Sequence, residues 1–400
     1  MNIDYFKCTQ VINNIYKEFL PYEFSENIGL HGGTSGVALF LTYYDYIIHC
    51  KKEVSPITID ILEHNIKCID NGCRQYTICD GISGFGWLCE HLKKLEMLRK
   101  EDIEFLDDLD PFLYNMMIID IQRGNYDYLH GALGVGSYFI TRFYRKEVHE
   151  YLEKLLTGLE KTGFLCENGA VKWISVIRSE TGDKGYNISL SHGMSSIAVF
   201  LIRLHKLNFE IDRVDKLLIR TMKYIIEQAT FREGRISYFP TFSKESSAGN
   251  YDSRLGWCYG DLGIAHVLWQ AANILKNENW ENAAIKILNY NSNRRDLRRN
   301  AINDAGLCHG SSGVAHIFWN LYLNTHIHVF KEAVDFWFNI TIQMAKYNDG
   351  LAGFKAWRTE RFGGPVKTYS LLEGIAGIGL FLLSYLDGSG TAWDECLMLS

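Results

Sequence analysis

The chain has 400 residues, 47% hydrophobic and 14% aromatic, which supports a packed core and excludes a disordered protein. Its formal net charge of −6, with 41 basic against 47 acidic residues, leaves no electrostatic footprint for nucleic acid. No apolar run reaches the ~18 residues of a membrane span, and the opening MNIDYFKCTQ lacks the order of a secretory signal, so a cytoplasmic location is expected.

Along the chain one unit recurs seven times. It reads GTSGVALFL from Gly33, GISGFGWLC from Gly81, GALGVGSYF from Gly131 and GMSSIAVFL from Gly193. It continues as GDLGIAHVL from Gly260, GSSGVAHIF from Gly310 and GIAGIGLFL from Gly374. Successive first glycines stand 48, 50, 62, 67, 50 and 64 residues apart, and only the fourth copy lacks the second glycine, with Ser196 in its place. A glycine turn followed by residues apolar on nearly every side predicts a buried helix. Segments between them, such as HNIKCIDNGC and VDKLLIRTMKYIIEQA, are amphipathic and predict solvent-facing helices, which five prolines in the whole chain hardly interrupt.

One buried and one amphipathic helix per ~50 residues predicts stacked helix pairs. Seven pairs closed into a ring give an all-α, double-layer barrel, an α/α toroid; an open superhelix is the competing geometry. No linker rich in Pro, Gly or Ser divides the chain, so a single domain over 1–400 is expected. Segments 163–190 and 230–257 are longer and mix aromatic, polar and glycine residues, which predicts irregular or short-strand connections. Connections of that length tend to carry function.

Equivalent positions in equivalent units fall at one end of such a scaffold. Just before the first glycines stand Gly32, Asp80, His130, His192, Tyr259, His309 and Glu373; one place earlier stand His31, Cys79, Leu129, Ser191, Cys258, Cys308 and Leu372. Ten cysteines in a reducing compartment are not expected to pair, so a functional one is a metal ligand or a nucleophile. Cys258 and Cys308 share a position in consecutive units, and His309 adjoins the second. Two thiolates and an imidazole make a catalytic zinc shell with its fourth position open. Two buried cysteines beside a polar repeat residue explain the same pattern, and the residues alone leave both readings standing.

RLGWCYGDLG (254–263) and GLCHGSSG (306–313), set among seven glycine-turn helices between about residues 28 and 386, resemble the LanC-type lanthipeptide cyclases over nearly the whole chain. The resemblance implies a seven-fold double layer of helices with one zinc per chain, held by Cys258, Cys308 and His309. It also implies a reaction in which a cysteine thiol of a dehydrated precursor peptide adds to dehydroalanine or dehydrobutyrine, forming a lanthionine or methyllanthionine ring. Carried over position by position, the active-site residues are His192, Asp127, Arg254 and Tyr259. Ser196 departs from the usual glycine directly after the His192 turn. A dehydratase and an exporter are implied partners, by way of which the chain could sit at the membrane periphery.

In this chemistry His192 donates the proton to the α-carbon, Asp127 holds its ring, Arg254 stabilises the charge on the carbonyl oxygen and Tyr259 hydrogen-bonds that oxygen. Each has a plainer use: Arg254 pairing with Asp252, Asp127 capping a helix, Tyr259 packing. His130 reads as structural or as a substrate-edge residue, while His31 and Glu373 sit at the mouth with no assigned task. Two other functions fit the same fold: addition of glutathione or another small thiol to dehydroamino acids, and a peptide-binding scaffold with a structural zinc. Finally, NRRDLRRN (293–300) carries four arginines, either as a solvated loop or as a surface for an acidic peptide segment or a partner.

Overall fold

After α1 (Tyr5–Phe19), glycine-capped and amphipathic helices alternate along the chain. The glycine-capped set is α2 (Thr34–Ile48), α4 (Ile82–Lys94), α6 (Ala132–Thr141), α8 (Met194–Lys206), α10 (Asp261–Leu275), α12 (Ser311–Thr325) and α14 (Ile375–Asp387). Their N-caps are Gly33, Gly81, Gly131, Gly193, Gly260, Gly310 and Gly374, the seven repeated glycines. The amphipathic set is α3 (Pro56–Asp70), α5 (Leu106–Gln122), α7 (Lys146–Thr162), α9 (Ile211–Glu227), α11 (Glu278–Ser292) and α13 (His328–Gln343). This computed structural model describes residues 5–178, 181–230, 235–246, 250–388 and 392–400. Residues 1–4 of the N-terminal stretch, and 179–180, 231–234 and 247–249 of the two long connections, lie outside the described residues.

Burial follows the two sequence patterns. Every residue of α2 from Thr34 to Asp45 is buried, as an all-round apolar helix requires. In α7 only Val148, Leu152, Leu155, Leu156 and Leu159 are, a single stripe at helical spacing. The long connection before α8 holds two short antiparallel hairpins, β1 (Phe164–Leu165) with β2 (Val171–Lys172) and β3 (Ser175–Arg178) with β4 (Asp183–Gly185).

The chain divides into two compact units, Met1–Leu109 with Ala301–Met398, and Asp110–Asn300. In the first, α2 packs on α3, α4 and α14, α14 packs on α1 and α12, and α12 on α13. The first and seventh repeats therefore meet within this unit. In the second, α8 packs on α6, α9 and α10, with α7 against α6 and α11 against α10. Within each unit the glycine-capped helices are neighbours and the amphipathic ones flank them.

The turns before the glycines are stitched together by backbone hydrogen bonds at equivalent positions. In the first unit the N–H of Cys308 donates to Leu372 O (2.9 Å), Leu372 to His31 O (3.1 Å) and His31 to Cys79 O (3.1 Å). In the second, Leu190 and Ser191 donate to Cys258 O at 3.2 and 3.4 Å. The second glycine permits this close approach. A Cβ on Gly377 would stand 1.9 Å from Leu371 O and 2.6 Å from Leu307 Cδ1. Ser196, the exception, is buried and turns its hydroxyl back onto Gly193 O at 2.6 Å.

Candidate active site

In the turns before α8 and α12 a short polar residue six places before the glycine organises the turn locally. The Asn187 side-chain oxygen accepts the Ser189 N–H at 2.9 Å, and its carbonyl accepts the Met194 N–H at 2.8 Å. Asp304 acts likewise on Gly306 (3.0 Å) and Ser311 (3.0 Å), and its other carboxylate oxygen accepts the Trp357 N–H at 2.7 Å. Such side-chain turns hold the residues that follow in fixed orientations. Asn187 and Asp304 are thus the supports of the His192 and Cys308–His309 turns. Their signal, an Asn or Asp six places before four of the seven glycines (Asn27, Asn125, Asn187, Asp304), was present in the sequence but lay outside the repeated nine-residue unit.

In the second unit, Asp127 and His192 meet across 65 residues of chain. His192 Nδ1 donates to Asp127 Oδ2 at 2.6 Å, while Asp127 Oδ1 accepts the His130 N–H at 2.8 Å. The aspartate thus holds the His192 ring and, instead of capping the following helix, whose N-cap Gly131 takes no side-chain hydrogen bond, it braces the His130 turn. Ser189 Oγ accepts the His192 N–H at 3.3 Å and fixes the ring's backbone from the other side. The His192 side chain keeps 30% of its exposure and Asp127 21%, so the pair is reachable yet partly shielded.

Electrostatics favour the charged form of each partner. Burial works to lower the His192 pKa, but the Asp127 charge, its hydrogen bond and the Cys258 sulfur outweigh it, and the pKa is raised above the ordinary 6.5. For Asp127 burial works upward, and His192 and the His130 N–H outweigh it, so the carboxyl is held low. The proton belongs to the imidazole.

Tyr259 and Cys258 stand beside this pair. The Tyr259 ring lies 6.0 Å from the His192 ring, and its hydroxyl accepts from Asn187 Nδ2 at 3.5 Å. Burial first, and then the neighbouring Cys258 and Asp127, push its pKa up to about 12, so it stays a donor. Cys258 is buried, and its carbonyl also accepts from Ser191 Oγ at 3.3 Å. His130 stacks on His192 with ring centres 6.1 Å apart. A cavity of about 250 Å³ opens in front, lined by Tyr126, Asp127, Ser175, Val176, Lys184 and His192.

Arg254 stands on the turn that leads into Cys258 and Tyr259. Among the described residues its guanidinium makes no ion pair, including none with Asp252, and it does not line that cavity. It occupies the turn-building position six before Gly260, whose φ of 96° only glycine adopts readily. The first unit supplies Cys308 and His309, both half-buried, on the turn that Asp304 clamps. The mouth residues have structural work: His31 Nε2 bonds Cys396 O at 2.9 Å, and Glu373 pairs with Arg358. Among the described residues no helix is long and apolar enough to cross a membrane.

The family profile described as "Lanthionine synthetase C-like protein" matches residues 25–398. No curated protein sequence matches the chain. Among solved structures, nisin cyclase superposes with a TM-score of 0.69 at 18% identity, covering 98% of this chain and 96% of its own. That likeness shows the fold class, the α/α toroid. Two others are less alike: a GH76A alpha-1,6-mannanase from Salegentibacter (TM-score 0.49, 12% identity, 95% and 99% covered) and a cellobiose 2-epimerase from Bacillus thermoamylovorans (0.47, 13%, 95% and 98%).

Proposed function

The chain belongs to the lanthionine synthetase C-like family, and from that premise we propose that it is a zinc-dependent peptide cyclase. It adds a cysteine thiol of a dehydrated precursor peptide across the double bond of dehydroalanine or dehydrobutyrine. The sulfur bonds the β-carbon and a proton goes to the α-carbon, closing a lanthionine or methyllanthionine ring. The observation that carries this reading is the Asp127–His192 pair, a proton donor held charged at the edge of a cavity beside Cys258 and Tyr259.

The ligands we assign to one zinc are Cys258, Cys308 and His309. Two thiols and one imidazole are a donor set suited to zinc over harder cations, and three protein ligands leave a place for a substrate. When bound, the ion supplies positive charge that favours the thiolate form of the peptide's cysteine.

The remaining work falls to this chain's own side chains. His192, protonated in the resting state, delivers its proton to the α-carbon; Asp127 keeps the ring oriented and stabilises the charge until transfer. Tyr259 donates a hydrogen bond to the substrate carbonyl as negative charge builds there, and Arg254 supplies positive charge to the same oxygen. The same reading makes the chain one cytoplasmic domain that receives its peptide from a dehydratase and serves an exporter.

Ring closure conserves mass, so it is followed by alkylating the thiols that remain. Wild type should carry about one zinc per chain and remove alkylatable thiol from a dehydrated peptide. Cys308→Ala should carry almost no zinc and leave the thiol count unchanged. A wild-type chain that takes up no zinc when incubated with the metal would sink the proposal.

A further inference from the structure

The arginine run at 294–299 borders a cavity of about 440 Å³ on the second unit, and it does so together with a residue from far away in sequence. Arg235 closes one side, with Arg294, Arg295 and Arg299 around the rest. A volume of that order suits an organic ligand and is far more than one carboxylate fills. Among the lining residues one carboxylate, Asp296, stands against four guanidiniums.

The arginines are not equivalent. Arg294 is buried and spent on the fold: it donates to Asn300 Oδ1 (2.9 Å), Asn291 Oδ1 (3.0 Å) and Ser253 O (2.8 Å), with Asp261 behind it at 3.7 Å. It fixes the loop. The Arg235 guanidinium carbon sits over the Tyr251 ring, 3.8 Å from its centre, and its buried Nη1 has no hydrogen-bond partner among the described residues. A buried donor without a partner costs free energy unless a ligand completes it. The Arg299 side chain is exposed, and among the described residues it makes no ion pair. Its backbone N–H is held by Asp296 Oδ1 at 2.8 Å, so this carboxylate is occupied in shaping the loop. Arg298 is exposed on the same loop and stays outside the cavity.

We propose that this cavity is a binding site for an acidic peptide segment, with Arg235 and Arg299 gripping carboxylates and Arg294 holding the loop in place. Guanidinium forks match carboxylates in a two-pronged geometry, and separate forks around one cavity select several charges in a row over a single one. The choice of a peptide rests on the cyclase reading, since a cyclase handles a peptide much longer than the ring it closes. The site is distinct from the Asp127–His192 pair, none of whose residues lines it.

Binding can be read without any chemistry. A fluorescent ten-residue peptide with glutamates at alternate positions and blocked ends is titrated with the full-length protein at low salt, beside the same peptide carrying glutamines. The expected result is binding of the glutamate peptide at least tenfold tighter. Arg235→Ala and Arg299→Ala should each weaken it five- to tenfold, and Arg298→Ala, which makes the same charge change, should leave it within twofold. Circular dichroism melts confirm that the variants fold. Equal losses for Arg298→Ala and Arg299→Ala would mean a diffuse field and overturn the site. So would inorganic phosphate binding in the cavity while the glutamate peptide does not. Because the readout is affinity alone, a protein that binds the acidic peptide yet closes no ring would refute the cyclase reading and leave this site standing.

Discussion

Asp127 accepts the His130 N–H with one oxygen and holds the His192 ring with the other, so two substitutions at this position test different things. Asn keeps an oxygen for the turn and removes the charge. Asp127→Asn should slow thioether formation roughly 10²–10⁴-fold, the usual worth of a positioned acid–base group, with little change in melting temperature. Asp127→Ala should lose the same activity and, in addition, ~0.5–2 kcal/mol of stability from the missing turn acceptor. The proton donor is active when charged, so the wild-type rate should fall as pH rises through the raised His192 pKa, and Asp127→Asn should move that limb to lower pH. A limb that stays put in Asp127→Asn would remove His192 from the proton transfer. A second histidine gives a stability prediction. His91 is buried against Trp87 and bonded to the Tyr43 hydroxyl at 3.0 Å, and burial first, then Lys94, lower its pKa to about 3. The folded state therefore refuses a proton that the unfolded state accepts below about pH 6.5. That contribution is complete above pH 6.5 and is lost as pH falls toward 3. Between pH 7 and 5 it amounts to ~2 kcal/mol. The urea midpoint of His91→Gln should depend less on pH over that range than that of wild type.

At the scale of the helix and its turn, the glycine pattern was readable because two short-range demands repeat. A helix that is apolar on every side can only be buried, and a turn that lets a neighbouring turn hydrogen-bond to it leaves no room for a side chain. Gly377→Ala tests the second demand. The added Cβ meets a backbone carbonyl, which cannot step aside as a flexible side chain would. The expected cost is ~1–3 kcal/mol or more, seen as a lower urea midpoint. Ser196→Gly restores the consensus of the other six copies but gives up the hydroxyl bond to Gly193 and adds unfolded-state freedom, so it should cost ~0.5–1 kcal/mol rather than stabilise. An unchanged midpoint in Gly377→Ala would mean that the close approach is not needed. The strands β3 and β4, by contrast, were legible only as part of an irregular or short-strand connection, without bounds or partners. Short strands were expected there, but strands of two to four residues carry too few positions for a period of two to fix their bounds or pairing.

For the molecule as a whole, zinc bound to the native state alone would stabilise it by mass action. A chelator should therefore lower the melting temperature of the zinc-loaded wild type and leave Cys258→Ala and Cys308→Ala where they are. A wild-type melt unmoved by the chelator, with the metal removed, would show that the ion contributes nothing to stability. The sequence by itself determined the seven glycine-capped helices, their alternation with amphipathic ones, and the candidates Cys258, Cys308, His309, His192, Asp127 and Tyr259. These follow from spacing, local apolar patterning and family motifs, all of which are properties of neighbouring residues. Tertiary structure alone decided that Asp127 serves the His130 turn and the His192 ring at once, and that Arg235 shares a cavity with the arginines near residue 299. Such meetings join residues tens of positions apart, and the packing angles that produce them are set by side chains all along the intervening helices.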